Sequence, residues 1–224
     1  DGGATWAQIW KPSGLGPTQM RTDIRAIAVD PSDSETIYIG MAGGASLVER
    51  RIQKSTDGGE TWFPVDSGLN ETGSYTAIAI APSDPKVLYT GGGWKGVYRS
   101  VDGAASWTNI NPDIAAHAIA VDPVDANIVY VASTAVHKTT DGGASWTASP
   151  DIDPQALAID PEDRDVLYAG TDNGVLRSTD GGATWADLSQ GLPVGSVRSL
   201  ALDPETRTMY ARQHGVYALE IGDA

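Results

Sequence analysis

STDGGETW (Ser55–Trp62) returns as SVDGAASW (Ser100–Trp107), TTDGGASW (Thr139–Trp146) and STDGGATW (Ser178–Trp185), and DGGATW stands at Asp1–Trp6. A second phrase lies ahead of each full copy: AIAVDPSDSETIYIG from Ala26, AIAIAPSDPKVLYTG from Ala77, AIAVDPVDANIVYVA from Ala118 and ALAIDPEDRDVLYAG from Ala156. SLALDPETRTMYA from Ser199 is a fifth member. Self-similarity at such a period marks an architecture in which each unit buries its apolar face on its neighbour.

Each unit reads as four short strands. The first is the alternating Ala/Ile/Val run, closed by Asp-Pro-x-Asp, where Asp at the first and Pro at the second turn position favour a type I turn. The second strand carries Tyr38, Tyr89, Tyr130, Tyr168 or Tyr210. The third runs into the quoted phrase (GVYRS from Gly96, GVLRS from Gly174, GVYAL from Gly215), and the fourth starts at its Trp. Strands of four to six residues at this turn density predict an all-β chain without βαβ units. Four strands in ~40–45 residues is the size of a propeller blade.

The box aspartates stand 56, 45, 39 and 39 residues apart, and the step from Asp180 round to Asp1 is 45. The last unit has three strands and no box, while the first ten residues hold a box remnant and a fourth strand. The expectation is a five-bladed β-propeller of four-stranded antiparallel blades, closed by the N-terminal segment pairing as outer strand of the last blade. Closure removes a sheet edge that would otherwise stand open. The predicted single domain, 1–224, has blades at roughly 22–66, 74–111, 115–149, 153–189 and 196–219 plus 1–10. Trp10 is expected to fill the closure seam.

Fifteen Lys+Arg against 29 Asp+Glu give a net charge of −14, which disfavours nucleic acid and anionic lipid as partners. No apolar run approaches the ~20 residues of a membrane span. With no cysteine, thiolate nucleophiles and Cys-type metal sites are excluded. Much of the acidity is turn chemistry, since Asp recurs in the boxes and in the Asp-Pro-x-Asp turns. No cofactor or metal is expected. Ca²⁺ is the one ion that turn carboxylates would suit, but no Asp-x-Asp-x-Asp-Gly loop is present.

The pattern Ser/Thr-x-Asp-x-Gly-x-Thr/Ser-Trp resembles the Asp-box (BNR) repeat of sialidases, xyloglucan-degrading glycoside hydrolases, sortilin-type receptors and photosystem II assembly factors. The resemblance covers essentially the whole chain and implies a propeller outside the cytoplasm: secreted, periplasmic or at the cell surface. It implies little about activity, because the box is a turn device shared by enzymes and binders. The structural set is Asp1, Asp57, Asp102, Asp141 and Asp180 with Trp6, Trp62, Trp107, Trp146 and Trp185. Ala104 stands where the other boxes have their second Gly, a position expected to need a left-handed backbone.

Aligning the first strands puts Arg25, Thr76, His117, Gln155 and Arg198 at one equivalent position near the channel entrance. They share parity with Ile27, Ile78, Ile119, Leu157 and Leu200, hence one strand face. Such a polar, partly cationic rim suits an anionic or hydroxyl-rich group. Two aromatics break the repeat. Trp94, with Lys95 beside it in the Gly-rich loop GGGWKG, and Tyr75 after the loop DSGLNETGS are candidates for stacking on a sugar or a protein partner. The ligand- or partner-binding set is therefore Arg25, His117, Gln155, Arg198, Trp94, Lys95 and Tyr75.

No catalytic residue is assigned. The Arg-Ile-Pro phrase of sialidases is absent, Arg51-Ile52 being followed by Gln53. Acids near the same face (Asp23, Asp113, Asp151, Asp153, Asp172) show no spacing that selects a pair. The functional expectation is a non-catalytic, extracytoplasmic scaffold for protein interaction or assembly, with carbohydrate contact. The alternative is a glycoside hydrolase-like enzyme acting on polysaccharide or sialoglycan.

Overall fold

A computed structural model describes residues 8–9, 23–42, 52–70, 74–92 and 96–221. All regular structure among them is β, in five antiparallel sheets arranged as the blades of a β-propeller. Blade 1 holds β1 (Asp23–Asp30), β2 (Asp33–Ala42), β3 (Ile52–Ser55) and β4 (Phe63–Pro64). Blade 2 holds β5 (Ala77–Ile80), β6 (Leu88–Gly91), β7 (Val97–Ser100) and β8 (Thr108–Asn111). Blade 3 holds β9 (Ala118–Val121), β10 (Val129–Ala132), β11 (Val136–Thr139) and β12 (Thr147–Ala148). Blade 4 holds β13 (Pro154–Ile159), β14 (Leu167–Thr171), β15 (Gly174–Ser178) and β16 (Ala186–Asp187). Blade 5 has three strands among the described residues: β17 (Ser199–Asp203), β18 (Thr208–Arg212) and β19 (Val216–Glu220).

The boxes form as local hydrogen-bond cages. One Asp57 oxygen accepts the Ser55 hydroxyl at 2.8 Å and the Thr61 backbone N–H at 2.8 Å, and the other accepts the Thr61 hydroxyl. The Ser55 oxygen in turn accepts the Gly59 N–H at 2.8 Å. Asp102, Asp141 and Asp180 repeat the arrangement. Each box is tied to the turn between the first two strands of its own blade: the N–H groups of Gly58, Gly103, Gly142 and Gly181 donate to Glu35, Lys86, Asn127 and Asp165 carbonyls at 2.9–3.0 Å. Both turns therefore lie on one face. Ala104 does adopt φ +72, a conformation that costs an L-residue about 1–2 kcal/mol.

These cages hold the four carboxylates well below the ordinary carboxylate value. Hydrogen bonds from Thr61, Ser106, Ser145 and Thr184 lead the causes and bring Asp57, Asp102, Asp141 and Asp180 from 3.8 to about 2. Because the folded value lies below the unfolded one, the stability they contribute is complete above about pH 4 and is lost as pH falls toward 2. Thermal melts are therefore expected to be flat from pH 7 to 5 and to drop steeply between pH 4 and 2. A melting temperature unchanged at pH 2.5 would contradict the cages.

The core sits between blades. Tyr38, Tyr89, Tyr130 and Tyr168 are all fully buried on the second strands. Tyr38 and Ile52 of blade 1 pack with Leu69, Ile80, Leu88, Tyr98 and Trp107. Salt bridges add latches across the turn face. Arg207 grips the buried Asp160 of blade 4 through two bonds of 2.6 and 3.0 Å, and Arg164 reaches the buried Asp122 of blade 3 at 3.2 Å.

First strands run side by side from β1 to β5, β9, β13 and β17; among the described residues β17 and β1 do not pack in this way. Consistently, Tyr210 is 40% exposed where its four equivalents are buried, and Ile27 on β1 is 64% exposed. The closing strand expected at 1–10 lies outside the described residues except Gln8 and Ile9, as do Asp1, Trp6 and Trp10.

Candidate channel-mouth site

Five blades each deliver one polar side chain to the same place. Arg25, Thr76, His117, Gln155 and Arg198 stand where the first strands begin, and together they line one cavity of about 340 Å³. Ile27, Ile78, Ile119, Leu157 and Leu200, two residues further along, supply its apolar walls, and Ser199 adds a hydroxyl. The two-residue period of a strand is what stacks a polar rim over an aliphatic throat.

The rim side chains are positioned by short contacts near their own strands. Asp23 holds Arg25 at 3.2 Å, both being exposed. Arg198 Nε donates to the Ser196 hydroxyl oxygen at 3.3 Å, and Ser196 donates to Asp172 at 2.7 Å. Each arginine is thus steadied from the residue two positions upstream. His117 Nδ1 lies 3.5 Å from the Pro154 carbonyl oxygen of the next blade, and its backbone N–H donates to Ala132. Gln155 contacts the Asp153 carbonyl at 3.5 Å.

Among the described residues that line the cavity there is no carboxylate. In a chain of net charge −14, the mouth is a local island of two guanidinium groups and an imidazole. It can donate several charge-assisted hydrogen bonds in a fixed, ring-like arrangement. Hydrolysis of a glycosidic bond needs two carboxyl groups ~5–9.5 Å apart. The nearby acids Asp23 and Asp172 are engaged in holding the rim. The box aspartates lie at the opposite turns and are permanent hydrogen-bond acceptors, poorly suited to give up or take a proton near neutral pH.

Tyr75 does not belong with this group. It is fully buried, its hydroxyl accepts the Asn70 N–H at 3.0 Å, and its ring meets Tyr98 edge-on at 5.8 Å. The loop that looked like a display platform in the sequence instead folds the ring inward, where its apolar area is worth more. Trp94 and Lys95 lie outside the described residues. His137 is half-buried on β11, and burial lowers its pKa; it faces Val131 and Ala148 across the sheet, away from the mouth. No group of three or more His, Cys, Asp or Glu able to hold a metal ion occurs among the described residues.

Sequence reasoning read Asp122 and Asp160 only as turn residues and missed the arginine latches. The available signal was an Arg at the fifth turn position (Arg164, Arg207) wherever the preceding blade's turn begins with Asp122 or Asp160.

No family model matches the chain. It is 30% identical over 149 residues to a probable oligoxyloglucan-reducing end-specific xyloglucanase of Neosartorya fischeri, a match that covers 59% of this chain and 18% of that protein. It is 29% identical over 188 residues to a xyloglucanase of a Paenibacillus species, covering 78% and 17% respectively. The chain thus spans less than a fifth of the length of these relatives. Among solved structures, an ancestral GH74 enzyme superposes with a TM-score of 0.69 at 23% identity, over 92% of this chain and 29% of that one. YCF48 bound to D1 peptide superposes with a TM-score of 0.60 at 15% identity, over 88% and 67%. At these identities the structural likenesses speak for the propeller fold. No helix among the described residues is long and apolar enough to cross a membrane.

Proposed function

We propose that this chain is a non-catalytic, extracytoplasmic Asp-box propeller whose channel mouth is a binding scaffold for a hydroxyl-rich partner, foremost a polysaccharide segment. The observation that carries the reading is the convergence of Arg25, Thr76, His117, Gln155 and Arg198 on one cavity without a lining carboxylate. Guanidinium, amide and hydroxyl groups over an aliphatic wall suit a sugar, whose edge is polar and whose ring faces are apolar. The similarity to proteins named as xyloglucanases supports that ligand class. Trp94 and Lys95, in the loop that follows β6, are proposed to add a stacking face and a further cation.

Titration with xyloglucan oligosaccharides tests this directly. Arg25→Ala and Arg198→Ala are each expected to weaken binding about tenfold or more, since a hydrogen bond to a charged group contributes about 1.5–3 kcal/mol. Both residues are exposed at the rim, so folding should be little affected. Unchanged affinity in both variants would remove the mouth as the site.

The second reading, a glycoside hydrolase acting on polysaccharide, is favoured by the names of the curated relatives. Release of reducing ends from xyloglucan, abolished by substitution of a single acid among Asp23, Asp113, Asp151, Asp153 or Asp172, would replace the first reading.

A further inference from the structure

At three successive blade boundaries, a basic residue of the third strand lies over the tyrosine of the second. Lys54, Arg99 and Lys138 stand 5.1, 5.8 and 5.2 Å from the ring centroids of Tyr38, Tyr89 and Tyr130. Between blades 1 and 2, the Lys54 ammonium and the Tyr38 hydroxyl both donate to the Gly103 carbonyl at 3.3 Å. Between blades 2 and 3, Arg99 donates to the Asn127 side-chain oxygen at 2.8 Å, and the Tyr89 hydroxyl to the Ala126 carbonyl at 2.8 Å. Between blades 3 and 4 the pattern fails. Neither the Lys138 ammonium nor the Tyr130 hydroxyl has a hydrogen-bond acceptor among the described residues, although Tyr130 is only 1% exposed. Asp165 stands at the sequence position of Asn127, but the compact ammonium of Lys138 makes no ion pair with it.

A cavity of about 300 Å³ lies at this boundary, lined by Tyr130, Lys138 and Asp165 together with Ile128, Asp122 and Arg164. The three unserved groups converge beside Gly181: a Cβ there would stand 2.6 Å from Lys138 Nζ, 3.5 Å from Asp165 Oδ1 and 3.6 Å from the Tyr130 hydroxyl. A group seated among them must accept from the ammonium and donate to the carboxylate. A carboxylate only accepts and an ammonium only donates, whereas a hydroxyl does both. Charge argues against an anion as well. Four carboxylates line the cavity (Asp122, Glu162, Asp163 and Asp165) against two cations, and Arg164 is already engaged with Asp122. A water molecule accounts for only about 30 Å³. The volume instead matches the lower end of small-molecule pockets, which run from about 300 to 1,000 Å³.

We propose that the cavity between blades 3 and 4 binds a single neutral saccharide unit, one hydroxyl of which bridges Lys138, Tyr130 and Asp165. A sugar ring carries several hydroxyls in a fixed arrangement, so few rotors are frozen when it binds. Its other hydroxyls meet Glu162 and Asp163 at the exposed edge, and its apolar face meets Ile128. The site lies on the face of the box turns, opposite the channel mouth, and does not rest on the reading of the mouth.

In the full chain, D-xylose is expected to shift the amide signal of Gly181 saturably in a heteronuclear NMR titration. Tyr130→Phe and Lys138→Met are each expected to weaken that response about fivefold, since each removes a hydrogen bond to the sugar. The Gln155 signals report the channel mouth separately, so failure at either site is told apart from failure at the other. No saturable shift at Gly181, undiminished binding in both variants, or a stronger response to inorganic phosphate or glycine would overturn the assignment. A second measurement needs no ligand. Tyr130→Phe should leave the melting temperature unchanged, whereas Tyr89→Phe, which loses its bond to Ala126, should lower it. Equal losses would show that the Tyr130 hydroxyl is already partnered within the protein, and the site would fall.

Discussion

Trp107→Ala is expected to destabilise the protein by about 4 kcal/mol, within the range of large-to-small changes at a buried Trp. The indole is only 4% exposed, packs among residues of blades 1 and 2, and donates its N–H across the boundary to Val65. Truncation removes that packing, leaves a void lined by Leu69, Leu88 and Tyr98, and orphans the Val65 carbonyl. The same residue in the other boxes should matter less. Trp146 and Trp185 are half-buried and donate within their own boxes, to Gly143 and Gly182 at 3.1 Å. Their alanine variants are expected to lose roughly half as much, in keeping with the smaller apolar area removed from water. Urea denaturation of the three variants checks this. Equal losses would show that the box tryptophans serve only their own hairpins. Since small domains retain about 5–15 kcal/mol in all, the Trp107 variant should be near the edge of folding at body temperature.

Gly68→Ala should cost about 3 kcal/mol, although it adds only one methyl group. Two effects combine. The left-handed φ of +88 alone penalises an L-residue by about 1–2 kcal/mol. The added Cβ would also stand 2.2 Å from the Trp107 carbonyl, a backbone atom that cannot swing aside, and such overpacking adds about 1–3 kcal/mol. Relief comes only if blade 2's outer strand backs away from blade 1, which would break the bond from the Trp107 N–H to Ser67. Amide exchange should therefore rise at β8 and at Trp107 while blades 3 and 4 keep their protection. A loss no greater than the backbone penalty, with no change at Trp107, would mean that the two blades are not held together at this point.

Both effects arise between blades, as does the cavity at the channel mouth. Every rim residue comes from a different blade, so the spacing of Arg25, Thr76, His117, Gln155 and Arg198 is set by how neighbouring sheets pack. The Asp122–Arg164 and Asp160–Arg207 latches at the opposite turns brace the boundaries between blades 3 and 4 and between blades 4 and 5.

The repeat, the number of blades, the strand order within each blade and the cage chemistry of the boxes could all be read from the sequence. The reason is that these features are local. The contacts that make a box join residues no more than four apart, and hairpin register follows from the turn. Alternation along a strand likewise placed the five rim side chains on one face. Tyr75 was misread because its burial depends on Tyr98, a partner on β7 outside its own loop. The arginine latches and the full burial of Trp107 against the half-burial of Trp146 are equally invisible in a single repeat. They depend on which blade stands next to which, and so on packing between residues some forty positions apart. Identical motifs meet different neighbours there, and only the tertiary structure decides what each tryptophan, tyrosine or aspartate can do.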